Sequence, residues 1–350
     1  MTLHWHFGSL AVIISFLYLL FLALNFSFFS KGKEINVNQM SGTRTILKSF
    51  YAAEQGEGAG AVVRRSIGVS QMRNFTPFLM LDHFNVSKGA GFPDHPHRGQ
   101  ETITLLMKGF MLHEDFTGAS GILRPGDLQF MTAGKGAMHS EMPYSPDGQN
   151  VEGLQLWVDL PRKLKYSEPR YRDLRKEEIP IIKPNEKVTV NVISGKSYGT
   201  ESIKDLAYTP VVYYDFTVKA GGVFEQEVPE DFNAFIYLLD GNLEVNGESA
   251  QKFNVIFFNR DGKAIKGSVP EGSDDAHFVL IAGKVLDQPV VQYGPFVVCS
   301  KDEVYQTFED YQEAKNGFER SKNWHSKIGE GVTKEIFDDL IGKVGTPGKK

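Results

Sequence analysis

Five residues in two short stretches carry the chemistry this chain can do. GFPDHPHRGQET places His95 and His97 two positions apart. In an extended segment alternate side chains share a face, so both imidazoles point the same way. Pro96 between them has no N–H and keeps the segment extended, as at a barrel rim or sheet edge. Glu101 has the same parity. About forty residues later MTAGKGAMHSEMP places His139 and Glu141 two apart, just after Gly134 and Gly136, which let the backbone turn. If the two pairs meet across one barrel, they offer three nitrogens and one oxygen to a single ion. That set suits Fe, Mn, Ni, Cu or Zn rather than Ca or Mg. It leaves up to two octahedral positions open to water, dioxygen or a chelating substrate, whereas a structural zinc site is closed by four ligands. Spacing leaves Glu141 and Glu101 competing for the oxygen position, the other then orienting a ligand histidine. The plain alternative is two unrelated, solvent-exposed loop pairs.

The remaining histidines are weaker candidates. His113, in MLHEDF beside Glu114 and Asp115, reads as a hydrogen-bonded barrel residue. His83 and His277 stand alone and read as structural. His4 and His6 belong to the N-terminal extension. The single cysteine, Cys299 in GPFVVCS, forms no internal disulfide and reads as a buried apolar residue.

These residues must be held by strands. From Ile46 onward, runs such as GAVVRRSIGV, ETITLLMKGFMLHEDF and GLQLWVDL alternate or are briefly apolar, broken by turns such as RPGD and AGKG. A charged, proline-punctuated stretch after Leu160 reads as an exposed linker with a short helical piece. A second strand-rich block follows. Its FIYLLDGNLEVNG reads as a hairpin turning at Asp240-Gly241 and mirrors ITLLMKGFMLHED of the first block. Two blocks of one grammar predict a duplicated barrel, the second without a ligand set. SKDEVYQTFEDYQEAKNGFERSKNW reads as one amphipathic helix with a stop or break at Asn316-Gly317. The expected segments are 1–40, a hydrophobic extension; 41–165, a first domain with the metal site; 166–185, a linker; 186–330, a second domain plus C-terminal helix; and 331–350, a tail.

Residues 9–29 contain no charge and are long enough to span a bilayer as a helix. Lys31 and Lys33 follow, which favours a cytosolic C-terminal side. The competing account takes Met40 as the start of a soluble protein and residues 1–39 as an optional extension. Without that segment the expected location is cytoplasm; with it, the expectation is a membrane-anchored cytosolic domain. The net charge of −5 gives no global attraction for phosphate backbones, so direct nucleic-acid binding is not expected.

At the motif residues the chain resembles the pirin family. GFPDHPHRGQET, LHEDFTGASGILRPGDLQFMTAGKGAMHSEMP, GLQLWVDLP, EGAGAVVRRSIG, HFVLIAG, YGPFV and AKNGFERSKNWHSKIG carry the likeness, from about residue 45 to 329. The resemblance implies an all-β fold of two cupin (jelly-roll-like) barrels. The C-terminal helix and the N-terminal hydrophobic helix, each read from its own residues, complete the expected chain, the latter being a departure from the family, and a monomer is expected. It implies iron (Fe2+/Fe3+) held by His95, His97, His139 and Glu141, other divalent transition metals being alternatives, and leaves Glu101 outside the ligand set. The cupin pattern usually puts a histidine soon after a PxG turn, whereas here His139 follows Pro125-Gly126 only after thirteen residues, a departure shared with pirins. Two roles follow from the likeness. One is quercetin 2,3-dioxygenase activity on a flavonol-like molecule with dioxygen, Glu141 acting as base and Phe92, Phe130 and Met138 lining the pocket. The other is iron-dependent, redox-sensing binding to Rel-family transcription regulators, with Arg98 and Lys135 on the partner face; it adds the nucleus to the expected location where residues 1–39 are absent. A metal-binding structural protein without open chemistry is the third reading.

Overall fold

The structure, a computed structural model, describes residues 42–203 and 206–343. The expected helix over residues 9–29 lies outside the described residues, and no helix among the described residues is long and apolar enough to cross a membrane.

The alternating runs form strands, and their glycines mark the turns. In the first half these are β1 (Ile46–Tyr51), β2 (Glu54–Glu57), β3 (Ala61–Ile67), β4 (Phe78–Val86), β5 (Phe92–His97), β6 (Gln100–Lys108), β7 (Phe110–Asp115), β8 (Ser120–Leu123), β9 (Leu128–Thr132), β10 (Ala137–Tyr144), β11 (Val151–Asp159) and β12 (Arg170–Leu174). They make a seven-stranded sheet, ordered β12-β9-β6-β11-β4-β3-β2, and a four-stranded sheet, β5-β10-β7-β8. The second half repeats the plan. Its large sheet runs β1, Asn254–Phe258, Phe232–Asp240, Ala276–Lys284, Val211–Val218, Val188–Ser194, Ile181–Asn185. Its small sheet runs Val223–Glu227, Ala264–Ser268, Asn242–Val245, Glu248–Gln251.

The two large sheets pack face to face. Their shared core contains Leu81, Ile103, Leu105, Phe130, Leu154 and Leu156 from the first barrel and Tyr213, Phe235, Tyr237, Phe257, Val279 and Ile281 from the second. Each such side chain, fully buried, contributes about 1.5–3 kcal/mol relative to exposure. The interface on one side and the barrel interior on the other explain why strands such as β6 and β11 are buried on both faces.

Four expectations change. The expected boundaries put β1 in the first domain, but it pairs antiparallel with Asn254–Phe258 and completes the second barrel's large sheet. The expected linker 166–185 contains β12, an edge strand of the first barrel, and Ile181–Asn185, an edge strand of the second. The turn at Asp240-Gly241 is not a hairpin. Phe232–Asp240 and Asn242–Val245 pair with other strands in different sheets, so the chain crosses between sheets there. β6 and β7 do the same around Gly109, so the mirrored motifs are one sheet-to-sheet corner used twice. Both corner glycines have positive φ, 73° and 77°, and no room for a side chain: a Cβ would lie 2.7 Å from Val151 Cγ2 and 2.2 Å from the Asp275 carbonyl oxygen. Finally, the C-terminal helix α1 spans only Lys301–Gln312, capped by Ser300, and stops before the left-handed Ala314, Asn316 and Gly317. A second helix, α2 (Lys334–Lys343), packs Phe337 against Phe110 and Tyr144 of the small sheet.

Candidate metal centre

Strands β5 and β10 pair antiparallel with His139 opposite His95 and Ala137 opposite His97. The register then slips between His139 and Glu141, a bulge that re-aims the carboxylate. The result is that the ligand atoms of His95, His97 and His139 lie within 4.8 Å of one another, with ring centroids 4.4–5.0 Å apart. The Nε2 atoms of His95 and His139 are 3.0 Å apart. Two nitrogens held about 2.1 Å from one ion at a right angle are separated by about that distance. Glu141 Oε2 stands 4.0 Å from His139 Nε2 and accepts from Gln155 Nε2 at 2.8 Å, while Thr104 Oγ1 approaches Oε1 at 3.4 Å.

The surroundings prepare the imidazoles as neutral donors. Burial, and then the charge of the neighbouring His95, push His97 well below the ordinary histidine value. His139 is pushed down in the same way by burial and by His95, His97 and His113. His95 Nδ1–H donates to the Pro93 carbonyl at 2.7 Å, which turns its Nε2 toward the cluster. His97 Nδ1 lies 2.7 Å from the Gln100 amide nitrogen, and Gln100 Oε1 is buried with no partner among the described residues. Turning the amide over pairs Oε1 with Nδ1–H, which leaves the Nε2 lone pair of His97 for an ion. His139 Nδ1 has no such partner. It shares the barrel interior with His113, whose two ring nitrogens make no hydrogen bond among the described residues, and with the buried Tyr171 hydroxyl, which makes none among them either. Polar interiors of this kind hold bridging water.

The site opens into the lumen of the first barrel, a cavity of about 1110 Å³. His95 and Glu141 line it beside Gln155, Trp157, Met80 and Phe92. Trp157 packs edge-on against His97 at 5.1 Å.

Several sequence expectations move. Glu101 faces away from the cluster. Its carboxylate accepts from Thr132 Oγ1 at 2.7 Å and from the backbone N–H groups of Tyr208 and Thr209 at 2.9–3.1 Å, and it orients no histidine. The turn at Arg98 and Gly99 separates β5 from β6, so the shared parity does not carry across. Arg98, expected on the surface, is fully buried: its guanidinium binds the Lys135 carbonyl, Thr307, Asp310 and the Asn316 carbonyl, clamping α1 to the segment after His97. Lys135 pairs with Glu168 at 2.6 Å. Phe92 lines the lumen, but Phe130 lies in the core between the barrels, and Met138, of opposite parity to His139, is not among the lining residues. His113 makes no hydrogen bond among the described residues, standing 3.7 Å from Asp173 and stacked on Tyr171. His83 bridges Tyr237 and Glu152. Gln100, Gln155 and Trp157 carry no spacing signal, and reading the sequence misses them.

Two stacked barrels, one with a histidine cluster in an open lumen, define a bicupin protein with one candidate metal centre. The Pirin family model matches residues 60–158, and the Pirin C-terminal cupin domain model matches residues 213–317. Pirin from Homo sapiens is 44% identical over 297 residues, 83% of this chain and 100% of that protein. The Pirin-like protein of Solanum lycopersicum is 44% identical over 291 residues, 82% of this chain and 98% of that protein. Among solved structures, quercetin 2,3-dioxygenase from Acinetobacter baumannii is 28% identical, with a TM-score of 0.72 over 79% of this chain and 99% of that one. The chain belongs to the pirin family.

Proposed function

We propose that this protein is a mononuclear non-haem iron protein that cleaves flavonols in the manner of a quercetin 2,3-dioxygenase, converting flavonol and dioxygen to a ring-opened ester and carbon monoxide. One observation carries the reading: three mostly buried, converging imidazoles lie beside one carboxylate, and His95 and Glu141 of this group line an open lumen. The likeness to a solved quercetin 2,3-dioxygenase supports it. His95, His97 and His139 hold the ion, with Glu141 as fourth ligand. When bound, iron supplies Lewis acidity toward chelating oxygens and a means of engaging dioxygen.

The chain's own residues do the rest. Met80, Phe84, Phe92 and Trp157 give the lumen apolar walls that accept flat aromatic rings and exclude water. Gln155 holds Glu141 Oε2, leaving Oε1, touched only by the distant Thr104 hydroxyl, to accept the 3-hydroxyl proton of a flavonol. Trp157 and Gln100 fix the His97 ring. The test is an aerobic assay of iron-loaded protein with quercetin, following substrate loss and carbon monoxide. Turnover that disappears in His97→Ala supports the proposal, and no turnover by protein shown to be iron-replete removes it. The redox-sensing coregulator reading becomes the better one if such protein is inert yet captures a Rel-family regulator in one iron oxidation state only.

A further inference from the structure

We propose that the lumen selects planar aromatic chelators carrying a second, anionic group, a carboxylate or a sulfate, and that Arg73 reads that group. The inference rests on the small-molecule reading above and adds the class of substrate to it.

The cavity is larger than one flat chelator needs. Pockets that enclose drug-sized ligands run from about 300 to 1,000 Å³, and this one measures about 1110 Å³. Part of its wall is formed by β4 and β11. Gln155, which binds Glu141, pairs in register with Asp82, and Trp157 pairs with Met80. Beyond Met80 the wall continues into the tight turn after β3, where Gly68 and Val69 bond to Met72, and that turn presents Ser70, Arg73 and Asn74 to the cavity. A molecule seated at the histidines therefore extends toward Arg73.

Six ionic side chains besides the histidines line the cavity: Glu57, Arg65, Arg73, Asp82, Asp94 and Glu141. Five are committed. Arg65 donates to Asp82 at 2.6–2.7 Å and to Glu57 at 2.5 Å. Asp94 accepts from the Ser326 hydroxyl and backbone N–H, and Glu141 accepts from Gln155. Arg73 is exposed and makes no hydrogen bond or ion pair among the described residues. An arginine fork left free at a pocket rim matches the two oxygens of a carboxylate or sulfate. The committed acids do not compete for it, because each already has its donors.

The experiment compares 3-hydroxyflavone-4′-carboxylic acid with its neutral 4′-carboxamide, both titrated calorimetrically under anaerobic conditions at low ionic strength into the full chain loaded with Fe(II). Wild type should bind the acid about fivefold more tightly, the scale of a partly exposed charge pair, and salt should shrink the ratio. Arg73→Gln should bring the ratio to about one without changing carboxamide affinity, and Arg73→Lys should keep part of the preference by charge alone. Equal affinities in wild type, or a ratio unmoved by Arg73→Gln, overturn this assignment and leave the proposed function standing. Binding of neither ligand overturns both.

Discussion

The two barrels share a strand plan and differ in what fills them. In the first, the small sheet and the facing strands send His97, Thr104, His113, His139, Glu141 and Gln155 into the interior, and the apolar residues form two separate small clusters, one around Val63, Phe84, Leu106, Met111 and Leu123 and one around Met131, Ala133 and Ala137. In the second, the interior is a continuous apolar cluster, with Phe216 and Phe278 stacked at 5.1 Å and Phe224 against both. A filled lumen cannot admit a ligand, and a polar lumen stabilises less by burial than an apolar one. One strand plan used twice thus gives a barrel filled with apolar side chains and a barrel that holds a histidine cluster. The apolar barrel also serves the other directly: Val290, Gln292, Gly294 and Pro295, which follow its last large-sheet strand, wall part of the first barrel's cavity.

That contrast can be broken by mutation. The largest effect is expected from His139→Ala, which should lower iron affinity by well over a hundredfold, read as metal content after competition with a chelator. The same variant should unfold at a urea midpoint near that of metal-free wild type. Phe216→Ala should do the opposite. It opens the second core at a cost of about 3–5 kcal/mol in chemical unfolding and leaves iron stoichiometry unchanged. Loss of iron from folded Phe216→Ala protein would show that the barrels are not independent in this sense. Gln100→Ala should weaken iron binding about ten- to a hundredfold without changing stoichiometry, since it frees the His97 ring rather than removing it.

The smallest effect sharpens the comparison through pH. His97 and His139 are held below the ordinary value of 6.5 by burial. Below that value the unfolded chain binds protons that the folded metal-free chain refuses, so their linkage favours folding above it and is lost as pH falls. His277 in the second barrel has the opposite sign. Burial, the largest single influence, lowers it, but the 2.7 Å bond to Asp215 and the negative charges of Asp215, Asp240 and Glu152 together outweigh burial and raise it above 6.5. Its contribution is present below that value and fades as pH rises through the raised one. His277→Gln should therefore cost more stability at about pH 5.5 than at about pH 8, and His97→Gln should cost less at the acid end. Urea midpoints of metal-free protein measure both.

Much of this molecule is legible in its sequence. The HxH and HxE pairs declare themselves because a strand repeats every two residues, so a shared parity is a shared face whatever the strand packs against. The two-barrel plan shows in the repeated corner around Gly109 and Gly241, where only glycine fits. What spacing cannot give is which acid joins the histidines. Glu101 and Glu141 have the same parity, and only the turn at Gly99 and the backbone amides of Tyr208 and Thr209 remove Glu101. Arg98 reads as a surface charge because three of its four partners lie more than two hundred positions away, on α1 and the turn beyond it. β1 reads as the start of the first domain because nothing local records which edge a strand will join. The sequence by itself determined the strands, the candidate ligand pairs and the duplicated architecture, all of which follow from periodicity and turn chemistry within a few residues. The tertiary structure alone decided that Glu101 turns away from the histidines while Glu141 stays beside them, and it alone decided the cavity's walls and the different filling of the two barrels. Those depend on contacts between segments far apart in the chain, whose pairing is fixed by packing rather than by local pattern.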